Sequence, residues 1–358
     1  MFNNPIHCDI FCAVVDNYGD AGVCWRLAAQ LADEHGWQVR LWIDDPAPLR
    51  QLAPDHAARP VEVRLWPVSW PCPWPAAETA DVVIEAFACE LPADYVEAMA
   101  RRSQTSVWLN LEYLSAEAWV AGCHGLESPH PRLPLVKHFS FPGFGEATGG
   151  LLRERDYDAR RESFDETVFR AEFGIPPRTA GELTISLFSY ENPALPELMR
   201  AWAAWATPQR PIRLLRPGTK EAAPADGNPT GSLSVHSLPF LPQPRYDELL
   251  WACDLNFVRG EDSFVRAQWA ATPFVWQAYP QAEEAHRAKL DAFLSIHPAG
   301  AQLRTFWQAW NGLGALDWPE FAASLPGLKG PMRQWATTLA ARPDLAGKLV
   351  QFCLERLK

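Results

Sequence analysis

Two aspartates, Asp16 and Asp20, stand four positions apart in the segment VVDNYGDAG. A carboxylate pair at that spacing can divide the work of proton transfer, one group accepting the proton while the other orients the reacting partner. The segment follows an apolar run and precedes a helical pattern, so both acids sit where a strand gives way to a helix. Ligands of open α/β sheets bind at such places, beyond the carboxyl ends of the strands. A structural reading competes. Asp20 occupies the place of an N-cap, and Asp16 that of a turn acid, with Gly19 supplying a positive φ.

A second candidate is Arg259-Gly260-Glu261-Asp262-Ser263, which also joins an apolar run to a helical pattern. Amides at a helix start, together with Arg259 and Ser263, make a seat for an anion such as a diphosphate. Glu261 and Asp262 suit sugar or ribose hydroxyls. Alternatively, the two acids complement the helix dipole and Arg259 joins a local ion pair. A third candidate is Phe188-Ser189-Tyr190-Glu191-Asn192, whose aromatics can stack on a nucleobase or cover the sheet edge. Phe240 and Gln243, after the run SLSVHSL, add an apolar wall and an amide. Asp156-Tyr157-Asp158 has the Asp-x-Asp form of a divalent-metal site, but it reads as part of a solvated, charged linker. The nine histidines show no HxxxH or HExxH spacing, and GxGxxG, GxSxG and P-loop patterns are absent.

These residues need a frame to hold them. Asp9–Val15, Gln38–Ile43, Val61–Leu65, Val82–Ile84 and Val107–Leu109 are predicted strands, and Ala21–His35 is a predicted helix with Gly36 at its C-terminal stop. After a glycine-rich, then charged stretch over 141–163, a second series begins. Strands are expected over Leu183–Leu187, Ile212–Leu215, Leu255–Val258 and Phe274–Trp276, and helices over Ala194–Trp205, Pro244–Cys253 and Ser263–Ala271. Residues 217–231 read as a turn-rich loop, and the chain from about Ala282 reads as mostly helical. Strands alternating with helices argue for parallel sheets with crossover helices, hence an α/β fold of two Rossmann-like, doubly wound domains facing a cleft. The expected boundaries are 1–155, 156–340 and a helix over 341–358 that packs back on the first domain.

At 358 residues and ~150 residues per domain, two domains are the expectation. The net charge of −11 disfavours nonspecific binding to nucleic acid or an anionic membrane. No apolar stretch approaches the ~20 residues of a membrane span, and the N-terminus has no signal-peptide pattern. The eight cysteines form no CxxC and several lie in apolar segments, as reduced thiols of a cytoplasmic protein do. The 17 tryptophans are expected mainly in the core.

Four segments together resemble one family, the bacterial protein-arginine rhamnosyltransferases acting on elongation factor P (EarP). They are VVDNYGDAGVCWRLA (14–28), LFSYENP (187–193), LPFLPQPRYDELLWACDLNFVRGEDSFVRAQWA (238–270) and PFVWQAYPQ (273–281). The resemblance implies the two-domain GT-B fold, with the acceptor on the first domain and the nucleotide on the second. It implies transfer of L-rhamnose from dTDP-β-L-rhamnose to one arginine of elongation factor P, with inversion and without a metal or cofactor. The modified factor is then active in translating polyproline stretches. The family's catalytic aspartate matches Asp20, its companion acid Asp16, and its RGEDS glutamate Glu261. Nucleotide-contacting positions match Phe188, Tyr190, Phe240, Gln243, Arg259, Asp262 and Ser263, and Asn17 and Gly19 would lie near the sugar by adjacency.

An arginine acceptor poses a chemical problem that carboxylates suit. Its guanidinium has a pKa above ~12 and is a poor nucleophile while charged. Carboxylates can grip the planar fork and take the proton that becomes acidic as the new bond forms. Two other functions are compatible with the same residues: a GT-B transferase for another nucleotide sugar or acceptor, and a noncatalytic nucleotide-sugar-binding module. Retention of Asp16, Asp20 and Glu261 together weighs against the latter.

Overall fold

The computed structural model describes residues 5–15, 17–67, 69–70, 72–218, 231–279 and 285–357. Asp16, most of the predicted loop 217–231 and the end of the PFVWQAYPQ segment lie outside the described residues. The chain forms two compact units, Met1–Arg155 with Arg342–Lys358, and Asp156–Ala341.

The first unit is built on a seven-stranded sheet. Its strands are β1 (His7–Cys12), β2 (Gln38–Ile43), β3 (Val61–Leu65), β4 (Val82–Ala86), β5 (Val107–Leu111), β6 (Glu127–Pro129) and β7 (Val136–Ser140). The order is β3-β2-β1-β4-β5-β7-β6, parallel except for β6 against β7. The central strands β4 and β5 are buried at every residue, as parallel strands covered on both faces must be, and their apolar sequences VVIEA and VWLNL show it. The first four α-helices of this unit are α1 (Asn17–His35), α2 (Ala47–Leu52), α3 (Ala93–Arg101) and α4 (Val120–Cys123). The order reverses between β1 and β4, which creates a switch point at their carboxyl ends.

Helix α1 begins four residues before the predicted Ala21, and β1 stops at Cys12 rather than Val15. The first turn, Asn-Tyr-Gly-Asp, holds poor helix formers, which hid it from a propensity reading. Asp20 is therefore inside the helix, not its N-cap, and Gly19 is helical rather than left-handed. Gly36 does end the helix with φ of +69°. Two polar side chains on α1 are buried and paired within this unit. Arg26 reaches Glu154 (Nε–Oε1 2.6 Å), and Gln30 donates to the Arg153 carbonyl (2.8 Å) and to Asp344 (3.1 Å).

The second unit holds a five-stranded parallel sheet, β8 (Leu183–Leu187), β9 (Ile212–Pro217), β10 (Leu233–Leu238), β11 (Leu255–Arg259) and β12 (Phe274–Gln277), in the order β10-β9-β8-β11-β12. Around it lie α5 (Tyr157–Glu162), α6 (Glu166–Glu172), α7 (Leu195–Trp205), α8 (Gln243–Ala252), α9 (Asp262–Ala270), α10 (Ala285–Ile296), α11 (Gly300–Trp310) and α12 (Trp318–Ala340). Its core is aromatic: Trp202, Trp307, Trp310 and Trp318 are fully buried, with Phe257, Phe264, Phe274 and Phe293 among them. Asp156 and Asp158 are both exposed, as expected of a solvated stretch, but Asp156-Tyr157-Asp158 is not an unstructured linker. It opens α5, and Tyr157 is buried with its hydroxyl accepting from Trp251 Nε1 at 2.8 Å.

The last helix, α13 (Leu345–Arg356), belongs to the first unit. Asp344 caps it by accepting from the Gly347 amide, and Leu345 N donates to the Leu151 carbonyl at 2.9 Å. All eight cysteines are free thiols. No helix of the described residues is long and apolar enough to cross a membrane.

Candidate active site

In the first unit the described candidate residues, Asn17, Gly19 and Asp20, follow the carboxyl end of β1. Asp20 is 1% exposed, and its Oδ2 accepts from the Val15 amide at 2.8 Å. The Val14 amide donates to Asp44 Oδ1, also at 2.8 Å, from the end of β2. The turn into α1 is thus fixed from both sides by carboxylates, and the Asp20 side chain is held in one orientation. Asn17 and Gly19 share the first turns of α1 with it. Asp16, the expected companion acid, lies outside the described residues.

The neighbouring strand contributes a feature with no sequence signal. After β4, Phe87, Ala88 and Glu90 all take positive φ (56°, 54° and 50°) although none is glycine. Such residues cost about 1 kcal/mol or more each, and they cluster at functional sites. The turn lays Phe87 flat against Tyr113 (centroids 4.3 Å apart, planes at 13°) at the carboxyl edge of the sheet.

In the second unit the predicted residues come from both sides of the other switch point, between β8 and β11. Phe188 directly follows β8 and its amide donates to the Phe257 carbonyl (3.0 Å). Arg259 ends β11. Its guanidinium lies 4.2 Å from the Phe188 ring centre and 4.5 Å from that of Tyr190, and it donates to the Ser189 carbonyl at 3.1 Å. Ser263 is buried, and its hydroxyl both accepts from the Arg259 amide (3.0 Å) and donates to the Arg259 carbonyl. It braces the turn. Gly260 permits that turn with φ of +60°, and its carbonyl accepts from Trp276 Nε1 at 2.8 Å. Glu261 sits at the N-cap of α9 without capping it through its side chain. Gln243, buried at the start of α8, donates to Asp262 Oδ2 at 3.0 Å. Phe240 is half-buried two residues beyond β10.

Residues 8–354 match the family model described as Elongation-Factor P (EF-P) rhamnosyltransferase EarP. The chain belongs to the EarP family. It is 48% identical over 377 residues to a protein-arginine rhamnosyltransferase of Pseudomonas aeruginosa, a match covering 96% of this chain and 98% of that one. It is 41% identical over 395 residues to one from Neisseria meningitidis serogroup B, covering all of both chains. A solved structure described as the structural basis for EarP-mediated arginine glycosylation of translation elongation factor EF-P shares 34% identity and a TM-score of 0.64, over 98% of this chain and 99% of that one. The calicheamicin glycosyltransferase CalG4, at 15% identity and a TM-score of 0.53 over 99% of each chain, is alike in fold. The chain is a glycosyltransferase with the GT-B fold.

Within this EarP chain further side chains touch the predicted nucleotide residues, Gln277, Tyr279 and Tyr246 among them. Gln277, 6% exposed, accepts from the Tyr190 amide through Oε1 (2.9 Å) and so holds the loop after β8. Tyr279 packs edge-on against Tyr190 at 5.4 Å. Tyr246 packs edge-on against Phe188 at 5.5 Å, and burial pushes its phenol well up, which keeps it a neutral hydroxyl. Gln277 and Tyr279 lie in the PFVWQAYPQ segment and Tyr246 follows Gln243 by three, so adjacency to the named motifs was the available signal. Two hollows of the first unit, about 260 and 460 Å³, are lined by none of the predicted residues. Among the described residues no three His, Cys, Asp or Glu side chains group as metal ligands would.

Proposed function

We propose that this enzyme is an inverting glycosyltransferase that moves L-rhamnose from dTDP-β-L-rhamnose to a guanidinium nitrogen of an arginine in elongation factor P. The observation that carries the reading is Asp20, a carboxylate held by the Val15 amide at the switch point of a chain that belongs to the EarP family. The attacking nitrogen forms a bond to the anomeric carbon as the bond from that carbon to the diphosphate oxygen breaks. Its proton passes to Asp20, and dTDP leaves with the electron pair. Attack opposite the leaving group inverts the centre and needs no enzyme nucleophile. Asp16 serves as the second acid that orients the guanidinium fork, and Glu261 serves the sugar end. Arg259 and the amides that open α9 stabilise the departing diphosphate without a metal.

Phe188, Tyr190 and Phe240 supply the aromatic surface for the thymine, and Gln243, Asp262 and Ser263 the polar contacts. Asn17 and Gly19 flank the reacting sugar. The reaction belongs to the cytoplasm, where the translation factor works. Incubating purified elongation factor P with the enzyme and dTDP-L-rhamnose tests the reading. A gain of one deoxyhexose, mapped to an arginine, supports it, whereas an unchanged intact mass with active donor present rejects it.

A further inference from the structure

A chain of charges runs behind Asp262, buried at Arg266 and Asp247 and reaching solvent at Asp156. Asp262 Oδ2 accepts from Arg266 Nε at 3.1 Å as well as from Gln243 Nε2 at 3.0 Å. Arg266 is 3% exposed, and its other end, Nη1, donates to Asp247 Oδ1 at 2.9 Å. Asp247 is wholly buried, and its Oδ2 accepts from Arg160 Nη1 at 3.0 Å. Arg160 in turn reaches Asp156 Oδ1 (Nε, 3.2 Å). Positive and negative groups thus alternate across α5, α8 and α9, all inside the second unit.

A buried ion pair is weak evidence for stability, because well-packed apolar residues often serve as well. Its geometry has a consequence here. The two donors on Oδ2 occupy that oxygen and fix the plane of the carboxylate before any ligand arrives. Arg266 cannot turn away, because Asp247 holds its far end. A carboxylate set in advance loses little side-chain entropy when a hydroxyl docks on it.

We propose that Arg266, anchored by Asp247, is a positioning residue that presets Asp262 to accept the deoxyribose hydroxyl of the donor nucleotide. The inference rests on the proposed reading of Asp262 as a nucleotide contact. It assigns to Arg266 and Asp247 a part in donor affinity and not in the transfer step.

The test is a thermodynamic cycle on the full-length enzyme. Calorimetry gives affinities for dTDP and for its analogue lacking the single deoxyribose hydroxyl. A hydrogen bond to a charged group is worth about 1.5–3 kcal/mol, so the wild type should prefer dTDP by about 10–100-fold. Arg266→Lys keeps the charge but loses the fork, and its preference should fall to within about twofold, with kcat at saturating donor nearly unchanged. Asp247→Asn, which keeps the shape and drops the anchoring charge, should do the same and stands in should the lysine variant not fold. Thermal melting of each variant reports stability separately. If a variant melts earlier yet keeps the full hydroxyl preference, the pair is only structural and the proposal fails. A wild type that binds dTDP but ignores the hydroxyl removes Asp262 as its acceptor, and the proposal with it. Failure of the wild type to bind dTDP at all instead overturns the donor assignment itself.

Discussion

The guanidinium of Arg259 lies 4.2 Å from the centre of the Phe188 ring; Arg259 ends β11 and Phe188 follows the neighbouring parallel strand β8, on either side of a sheet's switch point. A cation and an aromatic face, both proposed as ligands of the same nucleotide, thus rest on each other. Tyr190 covers the guanidinium as well, at 4.5 Å.

That contact separates the two basic residue types. In Arg259→Ala the proposed diphosphate seat loses its cation and Phe188 loses its partner. In Arg259→Lys a charge remains, but not the planar, stacking, forked group. Calorimetry with dTDP should show affinity falling about 10–100-fold in the alanine variant, in line with loss of a charge-assisted hydrogen bond, and about 10-fold in the lysine variant. Equal affinity in wild type and alanine variant would move the diphosphate elsewhere.

Gln277 offers a milder perturbation of the same loop. Its side chain accepts from the Tyr190 amide at 2.9 Å, and its amide nitrogen points to the Glu191 carbonyl. Gln277→Ala leaves a half-buried amide unpaired at a cost of about 1–3 kcal/mol, felt by the loop and not by the chemistry. The donor KM should rise about 10-fold while kcat stays within about twofold. A change confined to kcat would show that the loop does not serve the donor.

Much of this frame was legible because the physics is local. Buried parallel strands are short apolar runs, so QVRLWI and LTISL matched to the residue, and VEVRL, at the edge of its sheet, did so through its alternation of apolar and charged residues. Glu127–Pro129 and Val136–Ser140 escaped because an edge strand reading Glu-Ser-Pro has no apolar alternation, and its partner VKHFS carries a lysine and a histidine. The candidate site was legible because Phe188 and Arg259 lie at the ends of apolar runs and Asp20 a short way beyond one. The left-handed turn at Phe87, Ala88 and Glu90 was not, since none of its residues favours positive φ. Nor was the link from Asp262 through Arg266 to Asp247, because it depends on how α8 packs against α9.

Asp20 carries the transfer chemistry in the proposed mechanism. Asp20→Asn retains an oxygen to accept from the Val15 amide, so the turn into α1 should fold as before. The amide cannot take a proton from the attacking nitrogen. Transfer should fall by about 100–10,000-fold, the range that a general base supplies, with dTDP affinity unchanged. Single-turnover assays with elongation factor P as acceptor measure the first, and calorimetry the second. Normal transfer by the variant would remove Asp20 as the base.

Stability should depend on pH through His297. The ring is buried against Phe274, Phe293 and Trp335, and burial holds its pKa down at about 4. Its Nδ1 accepts from the Ala299 amide at 3.1 Å, which requires the neutral form. In the unfolded chain the ring titrates near ~6.5. Above that value it is neutral in both states and costs nothing. As pH falls, the unfolded chain takes up a proton that the folded one refuses, so stability declines from about pH 6.5 and levels off below about pH 4. The loss attributable to this ring is about 3 kcal/mol, because the gap between folded and unfolded pKa is worth about 1.4 kcal/mol for every tenfold change in proton affinity. His124 and His138 are also held down by burial, so the wild-type curve alone does not isolate it. His297→Gln does. Denaturant unfolding across that window should show the stability gap between wild type and variant narrowing, or changing sign, by about 3 kcal/mol as the medium is acidified. Parallel curves would mean that His297 takes its proton equally well in both states, and that the aromatic enclosure does not exclude the charge.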